Sequence, residues 1–174
     1  VTGEQLTQQE RIAVARLHAL LELLPSALDK ELAPTGLTSF EFTLLQALAE
    51  AAGNRLRLSA LASRTNASLP RLSRVVTGLE RKGLVMRVAC EQDGRATNAV
   101  LTDAGARAYR DGGPRFTEAL RTMVLSALGE DGVAQLSDIS LAILARLDPE
   151  RRFDVTACPA DPQPVDPAPA STAH

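Results

Sequence analysis

The sequence predicts a mainly α-helical chain that carries a small β-wing. Apolar residues recur at helical spacing over most of its 174 residues, and only 3% are aromatic. That combination suggests a core of Leu, Ala and Val side chains between helices rather than a β-sandwich. One stretch, Ser68 to Thr102, departs from it and reads as a helix, a glycine turn and a hairpin with a polar tip.

The helix in that stretch has its signals in order. Ser68 is suited to the N-cap, because its side-chain oxygen can accept a bond from an unpaired first-turn amide, and Pro70 loses nothing in that turn. From about Leu69 onward, Leu69, Leu72, Val75, Val76 and Leu79 fall on one apolar face, leaving Pro70, Arg71, Ser73, Arg74 and Thr77 on the other. Gly83 takes the left-handed conformation that ends the helix. Leu84 to Cys90 then reads as a strand, Glu91 to Asn98 as a tip turning at Asp93-Gly94, and Ala99 to Leu101 as the returning strand. A short cationic helix face followed by a hairpin with Arg95 at its tip suits a DNA duplex, the helix in the major groove and the hairpin on the neighbouring backbone or minor groove. Arg71 and Arg74 can bond the N7 and O6 acceptors of guanine. Arg95 can enter the minor groove, with Asp93 holding the loop in shape. Ser68, Pro70, Ser73 and Thr77 complete the candidate DNA-binding set, and Arg57, Arg64, Arg81 and Lys82 are candidates for phosphate.

Charge follows the same division. The chain carries a net −2, but residues 55–110 hold eleven Arg and Lys against four acids, a segment of +7 between ends that total −9. A cationic middle on a repelling body is the footprint of a nucleic-acid-binding face.

The remaining elements read as helices. Residues 4–32 carry a wide stripe of Leu6, Ala13, Leu17, Leu20, Leu21, Leu24 and Leu28, with Ile12 and Leu23 beside it, which is more apolar surface than one neighbour covers and so suggests subunit contact. Pro25 is expected to kink or split this helix. Thr38 or Ser39 caps the next, with Phe42, Leu45 and Leu48 inward and Gly53-Asn54 at its end. Arg55 to Leu58 is a short strand of the wing sheet. Ser59 to Thr65 is a short helix, separated by Asn66 from the one at Ser68, which makes a helix-turn-helix. After the hairpin, Thr102 or Asp103 caps a helix towards Tyr109 that Asp111-Gly112-Gly113-Pro114 is expected to interrupt. A second segment from Arg115 to Leu128 and a last helix striped by Val133, Leu136, Ile139, Ile143 and Leu147 follow. Six of the ten prolines lie from Pro149 onward, so residues 149–174 read as a disordered tail.

The fold class is therefore a winged helix-turn-helix with N- and C-terminal dimerisation helices: one domain over residues 1–148, its DNA-binding lobe at about 36–110 and its dimerisation helices at about 4–32 and 115–147. Paired terminal helices would set two recognition helices about one DNA turn (~34 Å) apart, for a pseudo-palindromic site. Two His, two scattered Cys, no Gly-rich phosphate loop and no cluster at metal spacing leave no catalytic constellation, and neither a cofactor nor a metal is expected. Cys90 has only Arg87 as a nearby base and Cys158 none, so neither reads as an activated thiol. His18 lies off the main stripe of the first helix. With no long apolar run and no signal peptide at the start, a cytoplasmic protein with no membrane partner is expected.

On these residues the chain resembles the MarR family of bacterial transcriptional regulators over about residues 8–147. The resemblance rests on Leu58-Ser59-Ala60-Leu61-Ala62, on Leu72-Ser73-Arg74-Val75-Val76 followed by Leu79-Glu80-Arg81-Lys82-Gly83-Leu84-Val85, on Asp93-Gly94-Arg95, and on Leu101-Thr102-Asp103-Ala104-Gly105. It implies a homodimer that represses nearby genes and is released by a small-molecule effector or by cysteine oxidation. Neither Cys stands near the N-terminus, where oxidation-sensing members carry theirs. Leu69 and Pro70 stand where the family usually has polar residues, which shifts base reading to Arg71, Ser73, Arg74 and Thr77. The same two residues define the alternative, a winged-helix module that docks a protein partner instead of DNA.

Overall fold

The computed structural model describes residues 5–90, 96–129 and 131–153. Helix α1, Gln8–Leu32, opens on a reciprocal cap in which the Glu10 amide donates to the Thr7 hydroxyl and the Thr7 amide to the Glu10 carboxylate (2.7 Å). Of the two outcomes expected at Pro25, the split does not occur: α1 is one helix across it. The turns beyond the proline are held from outside: Leu28 and Leu32 are buried, and the Asp29 carboxylate accepts from both the amide and the hydroxyl of Ser39 at 2.6 Å. Those contacts offset the one helical bond a proline removes.

Helix α2, Ser39–Ala49, begins with a second reciprocal cap, Thr38 with Glu41. Strand β1 (Arg55–Arg57), helix α3 (Leu58–Arg64) and helix α4 (Leu69–Arg81) follow, with Asn66 at φ 53 between the two helices, the left-handed turn that its position predicts. Strands β2 (Val85–Ala89) and β3 (Thr97–Leu101) complete an antiparallel sheet of order β1-β3-β2. The returning strand thus starts two residues earlier than its apolar pattern suggests, because Thr97 and Asn98 pair with Ala89 and Val88. The core lies between the end of α1, helices α2 to α4 and the inner face of the sheet. Leu32, Leu44, Leu45, Leu48, Leu61, Leu72, Val76, Leu79 and Ala99 are fully buried in it.

Helix α5, Asp103–Met123, is the second correction: it is continuous through Asp111-Gly112-Gly113-Pro114 rather than interrupted there. Its backbone passes so close to α2 that a Cβ on Gly112 would meet the Phe42 ring at 3.2 Å. Phe42 also stacks on Phe116, with ring centroids 4.4 Å apart, and on Tyr109 at 5.4 Å. Packing on both sides of Pro114 outweighs the local signal, and the segment expected to reach Leu128 ends instead in a single 3-10 turn, Leu125–Ala127.

Helix α6, Gly132–Leu147, has no buried residue. Its Ile139 is 60% exposed, as is Leu20 on α1, so both terminal helices present bare apolar stripes. Only the end of α6 returns to the body. Asp148, 2% exposed, accepts from the Phe153 amide (3.0 Å) and Arg152 Nε (3.2 Å), and the Ser63 hydroxyl on α3 donates to the Arg152 carbonyl at 2.6 Å. The tail beyond residue 153 lies outside the described residues. No described helix is long and apolar enough to cross a membrane.

Candidate nucleic-acid interface

The face that α4 turns away from the core follows from its apolar spacing. Leu72, Val76 and Leu79 are buried and Val75 half-buried, whereas Ser68, Leu69, Pro70, Arg71, Ser73, Arg74 and Arg81 are exposed. Leu69 is therefore not on the buried face, as its spacing suggests, but 53% exposed, because the first turn projects past the edge of the core. Ser68 occupies the N-cap position with extended backbone, yet its side chain makes no capping bond. Pro70, second in the helix, has removed one of the two amides that a capping side chain ordinarily reaches.

At its other end α4 stops as Gly83 dictates. Gly83, at φ 71, donates to the Glu80 carbonyl and Leu84 to the Leu79 carbonyl, both at 2.9 Å, so the last carbonyls are satisfied as the chain turns into β2. Thr102 binds this turn to α5. Its hydroxyl donates to the Gly83 carbonyl (2.8 Å) while accepting the Gly105 amide (3.0 Å), and its own amide donates to the Leu84 carbonyl (3.1 Å).

The candidate residues differ in how far they are already engaged. The Arg71 guanidinium lies over the Phe40 ring, 4.3 Å from its centroid. Arg74 makes only a long contact from Nε to the Pro70 carbonyl (3.4 Å) and keeps an exposed guanidinium on the outward face, with Arg81 two turns on. The Thr77 hydroxyl donates to the Ser73 carbonyl at 3.0 Å and accepts from Arg87 Nη1 at 3.1 Å. Ser73 Oγ accepts from Arg87 Nη2 at 3.2 Å. These two hydroxyls are thus turned towards the wing rather than left open to a groove. Asp93 and Arg95 lie outside the described residues.

Among the phosphate candidates, Lys82 is committed within the fold. Its ammonium donates to both Glu41 carboxylate oxygens (2.7 and 2.9 Å) and to the Gly36 carbonyl (2.9 Å), neutralising a nearly buried acid. Arg64 pairs with Glu50 at 3.8 Å, and Arg57 is half-buried on β1. Arg87 is the residue that sequence reasoning missed. It pairs with Glu80 across the Gly83 turn, and the spacing of Ser73, Thr77 and Glu80 along one side of α4 was the signal that could have found it. Cys90 is a buried thiol. Among the described residues no group of three or more His, Cys, Asp or Glu could hold a metal ion.

A family model described as the MarR family matches residues 35–96. No curated protein matches the chain by sequence. Solved structures do. AbsC, a MarR family transcriptional regulator from Streptomyces coelicolor, is 33% identical with a TM-score of 0.79, over 84% of this chain and 99% of that one. Sco3205, a MarR family transcriptional regulator from the same organism solved in complex with DNA, is 31% identical with a TM-score of 0.79, over 82% of this chain and 94% of that one. A mutant MarR from E. coli, complexed with operator DNA, is 25% identical with a TM-score of 0.69, over 80% and 99%. With a winged helix-turn-helix in place and 33% identity over the aligned part to a regulator that it covers almost end to end, the chain belongs to the MarR family of transcriptional regulators.

Proposed function

We propose that the chain is a homodimeric, sequence-specific DNA-binding repressor whose occupancy of a pseudo-palindromic operator is set by a small-molecule effector. The observation that carries this reading is the exposed outward face of α4, where Pro70, Arg74 and Arg81 stand clear of the core above a supporting sheet. DNA-bound relatives, Sco3205 and the E. coli MarR, lend it support. Arg74 bonds guanine, Arg71 joins it on leaving the Phe40 ring, and Leu69 and Pro70 suit thymine methyl groups. Ser68, Ser73 and Thr77 lie beside this surface, and Asp93 with Arg95 acts at the wing tip. A second copy covers the bare stripes of α1 and α6. On this reading the site of action is the cytoplasm and the protein is a regulator, not an enzyme.

For the effector, we take the open recess between α2 and α5 as the candidate. It holds about 430 Å³ and is lined by Phe42, Tyr109 and Phe116 with Gln46, Thr117 and Arg121 at its polar side, which suits an aromatic molecule bearing an acceptor group. An effector that binds better when the recognition helices are misspaced lowers DNA affinity by shifting population.

The experiment is selection of bound fragments from random DNA, followed by affinity against salt for the wild type and for Arg71→Ala with Arg74→Ala. An enriched inverted repeat with a steep salt dependence is expected, and the variant relaxes specificity by about 1–3 kcal/mol per lost guanine contact. No enriched sequence, together with loss of function in Leu69→Asp but not in the arginine variant, would favour a protein partner docked at the exposed Leu69 and Pro70.

A further inference from the structure

Arg87 belongs to β2, yet its hydrogen bonds go to α4. Nη2 donates to the Ser73 carbonyl (2.9 Å) and to Ser73 Oγ (3.2 Å), and Nη1 to Thr77 Oγ1 (3.1 Å) and to one Glu80 carboxylate oxygen. The Arg87 amide donates to the other Glu80 oxygen at 3.0 Å. One guanidinium therefore grips two turns of the helix along the side that carries residues 73, 77 and 80. Its own backbone is fixed in turn, because Arg87 pairs across the sheet with Ala99, which is fully buried.

We infer that Arg87 is a positioning residue: it sets the roll of α4 against the wing, and so which base edges Arg74 meets, without itself touching DNA. The inference rests on the DNA-reading function proposed above. Both terminal nitrogens of Arg87 donate into α4, and Glu80 compensates its charge, so little remains for a phosphate. The gripped hydroxyls of Ser73 and Thr77 serve as handles rather than readers. Small rotations matter here, since a roll of about 20° carries a side-chain tip ~6 Å from the helix axis through ~2 Å, further than a hydrogen bond tolerates. Only the planar fork of arginine spans these acceptors; the point charge of lysine does not.

The test uses the full chain and three variants, Arg87→Lys, Glu80→Gln and the double change, each checked for folding by thermal unfolding. Affinity is measured for the selected operator and for random DNA over a range of salt. Positioning predicts that Arg87→Lys loses at least tenfold for the operator, with random-DNA affinity and both salt slopes unchanged. It also predicts that Glu80→Gln loses in the same direction and that the double variant is no worse than the worse single one. A fourth variant, Arg87→Gln, removes the charge: if its salt slope falls by about one and random-DNA binding weakens in parallel, Arg87 is a phosphate contact and the inference is wrong. Wild-type operator affinity in Arg87→Lys and Glu80→Gln overturns it equally. A wild type that prefers no sequence removes the underlying DNA-reading function and this inference with it, an outcome distinguished by appearing in the unmutated chain.

Discussion

Gly105 sits where α5 begins against the turn that ends α4. A Cβ there would overlap the Leu84 carbonyl oxygen and stand 2.7 Å from Leu101 Cδ1, and backbone on one side leaves no room to give way. Gly105→Ala is expected to destabilise the fold by about 3 kcal/mol, read by denaturant unfolding. Gly78, inside α4, meets nothing within 4 Å, so Gly78→Ala should stabilise by about 0.5–1 kcal/mol in the same assay. Lys82 poses the opposite question, of a cation that sequence assigns to DNA and the structure assigns to Glu41. Lys82→Met leaves a nearly buried carboxylate without its partner and should cost about 1–3 kcal/mol of stability, while the salt slope of DNA binding stays as in the wild type. The sign of its charge alone points Lys82 to phosphate, and the acid that claims it is 41 residues away.

At the scale of elements, what could be read from sequence was what local stereochemistry decides. Asn66 and Gly83 mark the two ends of the turn-helix unit because each takes a left-handed conformation, and the α4 apolar spacing selects Leu72, Val76 and Leu79 for the core. That neither Pro25 nor Pro114 divides its helix has the complementary reason: the outcome is decided by contacts with Ser39 and Phe42, which no local pattern contains. The candidate site divides in the same way. The outward face of α4 was legible from its periodicity, but the hold of Arg87 on Ser73 and Thr77 depends on how a strand folds back over the helix. The start of α1 offers a pH test. Donation first from the Thr7 amide and then from its hydroxyl holds the Glu10 carboxyl below its ordinary range. A depressed folded pKa contributes stability that is present above the unfolded value and is lost as pH falls through the folded one. Amide protection in the first turn of α1 should therefore fall as pH drops below the ordinary glutamate range, and Glu10→Gln should abolish that dependence, both followed by hydrogen exchange.

For the whole molecule, the distribution of bare surface predicts assembly. Leu20, Leu21 and Leu23 on α1 and Ile139 and Leu147 on α6 are all at least 60% exposed, large apolar side chains of the kind that mark an interaction surface. Leu20→Glu with Ile139→Glu should shift the protein from dimer to monomer by sedimentation, and lose operator affinity with the second half-site contact.

The knot of bonds at Thr102 gives that assembly a mechanical character. Because Thr102 fastens the end of α4 to the first turn of α5, the dimer and reading face proposed above would be the handle and the tip of one lever. The 21 residues of α5 make an arm of ~31 Å at 1.5 Å per residue. A tilt of about 5° at the handle then swings the tip by ~3 Å. Two such levers opening in opposite senses change the span between the tips by about twice that, enough to take one of them out of register with grooves ~34 Å apart.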